Sequence, residues 1–240
     1  MKAIILAAGR GSRMKNMTED RPKCLVELRG KPLLEWQLSA LHGAGISEVA
    51  IVTGYKRVLL ASRASMEFYN PRWSETNMVS SLECAQAWLQ AEPCIVSYSD
   101  IFYDVSAVRT LMETNAELAI TYDPNWRALW ESRFADPLSD AETFMMDENS
   151  NLTEIGQRAK QIEEIQGQYM GLLRFTPASW KKVEVLRAGQ EPAVRDKLDM
   201  TGMLQRLIVG HRVAIRALPY TGEWGEVDSA EDLAIYDRND

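Results

Sequence analysis

The residues best suited to chemistry in this chain begin at positions 6–14 (LAAGRGSRM), where an apolar run opens into a basic, glycine-rich turn. Gly9 and Gly11 let the backbone turn sharply and approach a ligand with no Cβ in the way. Successive amides in such a turn point at phosphate oxygens, and Arg10 and Arg13 add donors and charge. The pattern suits a triphosphate cradle, but neither common cradle fits. A P-loop places four residues between its glycines and follows them with Gly-Lys-Ser/Thr, whereas one residue separates Gly9 from Gly11. A dinucleotide fingerprint needs a glycine where Met14 stands and an acid closing the second strand, which ends instead in Thr53-Gly54-Tyr55. Two aspartates complete the candidate set. Asp100 follows a strongly apolar strand, and Asp228 lies in the segment 224–229 (WGEVDS). Each alone reads as a turn or helix cap. Together at one rim of a phosphate-binding sheet they suit Mg²⁺, which takes carboxylate oxygens plus substrate phosphates.

The glycine loop is followed by Pro22-Lys23. The combined pattern, L-A-A-G-x-G-S-R-M and then P-K, resembles the signature of the nucleotidyltransferases that activate sugar phosphates and phospho-alcohols. The resemblance implies that the loop wraps a triphosphate and that Arg13 and Lys23 are the charge-stabilising catalytic residues. It sharpens at the far end, where residues 226–233 (EVDSAEDL) are similar to a terminal segment of the cytidylyl-transferring members. Those members also carry an Asp after the strand that matches residues 94–98. Here it is Ser99-Asp100, where many relatives have Gly-Asp. Residues 169–173 and 199–204 also resemble segments of phosphocholine and phosphonate cytidylyltransferases. The similarity spans essentially the whole chain and is most specific at its two ends.

What this resemblance implies is a cytidylyltransferase that moves CMP from CTP to a small phosphate or phosphonate, phosphocholine-like or aminoethylphosphonate-like, releasing pyrophosphate. Magnesium would sit on Asp100 and Asp228. The nucleotide would contact Leu6, Ala7 and Ala8, the loop residues Gly9, Arg10, Gly11, Ser12 and Arg13, Lys23, and the helix start at Asn77, Ser80 and Ser81. Asn77 reads equally as an N-cap. Tyr122, Trp126, Trp130 and Tyr169, interleaved with Asp123, Asp136, Asp140 and Glu142, suggest an acceptor pocket for an ammonium group through cation–π and charge attraction. Singly, each aromatic reads as core, and the spacing of Trp126 and Trp130 also fits a packing stripe on a helix. Arg133 suits the acceptor's phosphate or phosphonate, and Glu226 joins the acceptor set. Two rivals stand beside this reading. One is a sugar-1-phosphate nucleotidyltransferase using UTP or dTTP. The other is a catalytically silent, nucleotide-binding regulatory subunit, which the intact Arg13, Lys23, Asp100 and Asp228 disfavour.

Positioning these residues takes an α/β fold. Apolar strands are expected at 3–8, 49–53, 94–98 and 118–122, separated by helices at 32–41, 78–89 and 105–115. That alternation implies a doubly wound, mostly parallel Rossmann-like sheet with ligands at the strand C-termini. The remainder reads as short strands at 144–147, 152–155, 169–175 and 213–218, with helices at 178–187 and 200–209 and a closing helix capped by Ser229 and Asp232. No linker or repeat interrupts the chain, so a single domain, 1–240, is expected, with a nucleotide half to about 122 and an acceptor half from 123.

Composition limits the alternatives. The 240 residues are 46% hydrophobic, enough for one sizeable core. A net charge of −7 disfavours nucleic acid as a partner. Three scattered cysteines give no disulfide framework or zinc pattern, and two histidines leave little for a histidine-dependent mechanism. There is no apolar run long enough for a bilayer, so no membrane contact and a cytoplasmic location are expected. A homodimer is left open.

Overall fold

Runs of β-branched and aliphatic residues build the central sheet of the computed structural model, which describes residues 1–237. Its strands are β1 (Lys2–Ala7), β2 (Val49–Thr53), β3 (Met66–Tyr69), β4 (Cys94–Tyr98), β5 (Leu118–Asp123), β6 (Gln168–Phe175) and β7 (Ile215–Pro219). They lie side by side in the order β7-β5-β6-β4-β1-β2-β3. All neighbours are parallel except β6, which runs antiparallel to both β4 and β5. The expected mixed, mostly parallel sheet is therefore what forms.

The period-2 alternation of β1 shows why the run is apolar throughout. Ile4 and Leu6 enter one core with Val79, Leu82, Trp180 and Met203, whereas Ala3, Ile5 and Ala7 enter the other with Leu34, Leu41, Val108 and Leu111. Both faces are covered, as a central parallel strand requires. Helices Leu33–Gly43 and Val105–Glu113 cover one face; Met78–Glu83, Gln86–Ala91, Pro177–Ala188 and Met200–Val209 cover the other.

Two differences from the sequence reading matter for the site. The helix expected at 78–89 is two helices, because Cys84, Ala85 and Trp88 each bond to the carbonyl three residues back and break the α ladder. In addition, Ile101–Tyr103 and Trp224–Glu226 pair as a small antiparallel ladder that the sequence reading lacks. The closing helix Ala230–Tyr236 begins as expected, on a reciprocal capping box between Ser229 and Asp232. Among the described residues no helix is long and apolar enough to cross a membrane.

Candidate active site

The C-terminal end of β1 delivers the glycine loop. Gly11 takes a left-handed conformation, φ 68°, and a Cβ added there would lie 2.8 Å from Lys23 Cβ. Glycine at this position is thus what lets the Pro22–Lys23 segment pack against the loop. Pro22 is extended and leads into the 3₁₀ turn Lys23–Leu25. Cys24 and Val26, both buried, anchor the turn and leave Lys23 only 6% exposed. Gly11→Ala adds left-handed strain of about 1–2 kcal/mol and pushes on the lysine. An ångström of misplacement can cost on the order of 10²-fold in rate, so this variant is expected to lose activity well beyond its loss of stability. Steady-state kinetics beside a thermal melt check it; wild-type kcat in folded Gly11→Ala would dissociate the loop from the lysine.

Asp100 and Asp228 are brought together by backbone pairing. Buried Gln37 donates through Nε2 to the carbonyls of Tyr98 at 2.8 Å and Ile101 at 2.6 Å, pinning the turn that carries Asp100. Ile101 sits opposite Glu226 in the short ladder, and Val227 N donates to Asp100 O at 2.9 Å. The result is a compact charge cluster. Lys23 Nζ donates to Asp100 Oδ2 at 2.8 Å and to Asp228 Oδ1, while Arg13 Nη1 lies 2.8 Å from Asp228 Oδ2. Carboxylate oxygens of Asp100, Glu226 and Asp228 all fall within 4.8 Å of one another.

The electrostatics follow from that crowding. Burial, then the charges of Asp100 and Asp228, push the Glu226 carboxyl up to about 8, with Lys23 and Arg133 pulling the other way. Burial works against the charge on Lys23, but Asp100 and Asp228 outweigh it and hold its pKa above the ordinary lysine value. Asp100 Oδ1 is buried and accepts no hydrogen bond from the described residues. Three converging carboxylates with an orphaned oxygen form the donor set a hard divalent cation such as Mg²⁺ takes, so the residues fit that ion.

Two cavities meet at this cluster. One, ≈190 Å³, is lined by Ala8, Gly9, Trp73, Thr76 and Ser81 among others. The second, ≈300 Å³, is lined by Glu142, Gln168, Tyr169, Asp199 and Glu226 among others. Arg13, Met78 and Tyr98 border both, so the cavities share a wall.

Most of the expected nucleotide residues surround the first cavity: Leu6, Ala8, Gly9, Gly11, Arg13, Lys23, Asn77 and Ser81. Others do not. Ala7 points into the opposite core, because neighbouring strand residues face opposite ways. Ser80 turns away and accepts from Arg187 Nη2 at 3.2 Å, whereas Ser81 accepts from buried Asn70 Nδ2 at 3.0 Å beside the cavity. Arg10 and Ser12 are exposed, with the Arg10 guanidinium 5.7 Å from the centre of the Tyr55 ring. Asn77 does both: it borders the cavity and caps its helix, its side chain accepting from Met78 N.

The acceptor set divides similarly. Trp130, Tyr169 and Glu226 line the second cavity. Tyr122 does not; it packs on Phe144 with ring centres 5.1 Å apart. Trp126 is core as well, its indole N–H donating to the Ile165 carbonyl at 3.2 Å. Arg133 lies behind the cavity wall, its side chain 1% exposed and paired with Asp232 at 2.8 Å. Both tryptophans sit on helix Trp126–Arg133, in edge contact, as their spacing allows. Among the interleaved acids, Asp140 and Glu142 reach the cavity; Asp123 instead accepts from Trp224 Nε1, and Asp136 caps a 3₁₀ turn. Trp73, Thr76, Tyr98, Gln168 and Asp199 are cavity residues the sequence reading did not single out as ligand contacts.

This arrangement agrees with what the chain is similar to. A CTP:phosphoglutamine cytidylyltransferase of Campylobacter jejuni subsp. jejuni serotype O:2 is 37% identical over 98% of both chains. A choline-phosphate cytidylyltransferase of Streptococcus pneumoniae is 53% identical over a shorter stretch, 23% of this chain and 24% of its own. In fold, the chain matches the inositol-1-phosphate CTP transferase from T. maritima with a TM-score of 0.78 at 20% identity, covering 98% of this chain and 93% of that one. Residues 3–168, which hold the glycine loop, Lys23, Asp100 and strands β1 to β5, match the MobA-like NTP transferase domain. The chain therefore belongs to the family of nucleotidyltransferases built on the MobA-like NTP transferase domain.

Proposed function

We propose that the protein transfers CMP from CTP to a small phosphate- or phosphonate-bearing acceptor. The observation that carries this is Lys23, which bridges Asp100 and Asp228 at the seam between two cavities. An acceptor oxyanion attacks the α-phosphorus in line. A new P–O bond forms, the α–β bridging bond breaks, and pyrophosphate leaves with the electron pair. Such a transfer needs positioning and charge neutralisation rather than a covalent enzyme intermediate. Arg13 and the loop amides neutralise the β- and γ-phosphates. Lys23, a compact charge on a flexible stem, serves the α-phosphate and the incoming acceptor. Asp100 and Asp228, with Glu226 beside them, are the residues that would hold Mg²⁺, whose charge offsets that of the phosphates.

The cytosine is assigned to the first cavity, against the backbone of Leu6 and Ala8 and the hydroxyl of Ser81. The acceptor is assigned to the second, where Asp140, Glu142 and Asp199 face Trp130 and Tyr169. Desolvation of its carboxyl at the cavity, then the charge of Asp199, raises the Glu142 pKa although the residue as a whole is exposed, and a cationic acceptor nitrogen offsets the repulsion from Asp199. That chemistry favours an ammonium-bearing phosphate or phosphonate, in keeping with the phosphoglutamine and choline phosphate in the names of the relatives.

A pyrophosphate-release assay tests this, using the four common triphosphates against phosphocholine, phosphoethanolamine, aminoethylphosphonate, phosphoglutamine and a sugar 1-phosphate. CTP is expected to exceed UTP in kcat/KM by roughly 10- to 100-fold, since one mismatched buried polar group costs about 1–3 kcal/mol. Equal values for CTP and UTP move the assignment to a sugar-1-phosphate uridylyl or thymidylyl transferase. Nucleotide binding with no turnover on any acceptor moves it to a regulatory subunit.

A further inference from the structure

The strand and turn that carry Glu226 and Asp228 are tied down by a side chain that lines neither cavity. Arg133 ends helix Trp126–Arg133, and its guanidinium is buried over the rings of Trp130, at 5.0 Å, and Phe134, at 5.1 Å. Its Nε donates to Asp232 Oδ1 at 2.8 Å. Its Nη1 lies 3.8 Å from Glu226 Oε2 and makes no hydrogen bond among the described residues. The other oxygen of Asp232 accepts from Asp228 N and Ser229 N, each at 2.9 Å, and from Ser229 Oγ at 3.0 Å. One guanidinium thereby restrains the Glu226 side chain directly and the Asp228 backbone through Asp232.

A buried ion pair placed only for stability contributes little, because desolvation cancels most of its attraction. This one has a directional consequence instead. Glu226 and Asp228 are two of the three converging carboxylates, and the two charged contacts of Arg133 act on Glu226 and, through Asp232, on the Asp228 backbone. We propose that Arg133 is a positioning residue: it holds Glu226 and Asp228 in the arrangement that, with Asp100, receives a divalent cation, while touching no substrate itself. This role rests on the reading of those carboxylates given above. Lysine is a poor substitute, since a single ammonium lacks the planar fork that here offers separate nitrogens to Asp232 and Glu226 and lies over tryptophan.

Titration of the folded, full-length protein with Mn²⁺ alone, followed by the paramagnetic resonance of the free ion, tests the assignment. Arg133→Met keeps the length and apolar contacts of the side chain. It is expected to raise the Kd for Mn²⁺ by about 10- to 100-fold, the usual cost of losing a partner that orients metal ligands. Its kcat should fall while KM for CTP stays within a few-fold, because Arg133 lies away from the nucleotide cavity. Arg133→Lys should fall between wild type and Arg133→Met; if the methionine variant does not fold, the lysine variant carries the test with a several-fold rise in Kd. An unchanged Kd in the folded variants, however far the melting temperature drops, makes Arg133 purely structural and overturns the proposal. Wild-type protein that binds no Mn²⁺ removes the cation site itself, and this role with it.

Discussion

Lys23→Ala is expected to lower kcat by about 10²–10³, the loss typical of removing one preorganised donor from a developing negative charge. The geometry supports a penalty of that size. Lys23 is 6% exposed, stiffened on one side by Pro22 and packed on the other against Gly11. Two carboxylates hold its charge despite burial. Little of this lysine is free to serve as ordinary surface solvation. Removing it also leaves Asp100, Glu226 and Asp228 facing one another with one cation fewer, so repulsion in the cluster adds to the lost contact with phosphate.

Lys23→Arg separates charge from shape. The guanidinium keeps the charge but is planar and longer in reach, and the turn leaves no slack beside Gly11. It should remain well below wild type. Folding is verified by near-ultraviolet circular dichroism, since the alanine variant releases two half-buried carboxylates from their partner. A folded Lys23→Ala enzyme with kcat within a few-fold of wild type would show that the Pro22–Lys23 segment plays no part in the reaction.

The parts of this site that were legible in the sequence are those built from local chain. β1, the glycine loop and Pro22-Lys23 lie within the first 23 residues, where a continuous apolar run and glycine spacing report geometry directly. The capping box at Ser229 is local in the same way. The meeting of Asp100 with Glu226 and Asp228 is not. It depends on Ile101–Tyr103 pairing with Trp224–Glu226, strands too short to carry a periodic signal. Residue type also cannot tell a wall from a core: Tyr122 and Trp126 share both chemistry and face with Tyr169, a register partner, and Trp130, one helical turn on, yet only the latter two border the second cavity. Ser80 and Ser81 differ by one helical step, enough to aim one hydroxyl at Arg187 and leave the other beside the cavity. Arg133 shows the same limit for charge. An arginine near acceptor-binding residues suggests a phosphate ligand, and only the positions of Asp232 and Glu226 reveal that its partners are internal.

Asp228→Asn and Asp100→Asn are each expected to come close to abolishing turnover, and the wild-type reaction is expected to stop in chelator. An amide keeps the carboxylate's shape and one acceptor oxygen, but it loses the charge that draws a hard cation from water. Charge neutralisation at a transferring phosphoryl group supplies several kcal/mol, and each 1.36 kcal/mol is tenfold in rate, so a loss on the order of 10³-fold is the expected scale. Asp228 should be the more sensitive of the two. It engages both Lys23 and Arg13, whereas Asp100 engages Lys23 and keeps a buried oxygen without a partner among the described residues. In Asp228→Asn the amide oxygen can serve only one of the two cations, since Lys23 and Arg13 bind different carboxylate oxygens, and the N–H₂ then faces the other. The measurement is initial rate against Mg²⁺ concentration for wild type and both variants, with folding checked by circular dichroism. A variant that remains fully active removes its aspartate from the mechanism. Full wild-type activity in chelator removes the metal, and leaves the carboxylates as partners that hold Lys23 and Arg13 for the phosphates.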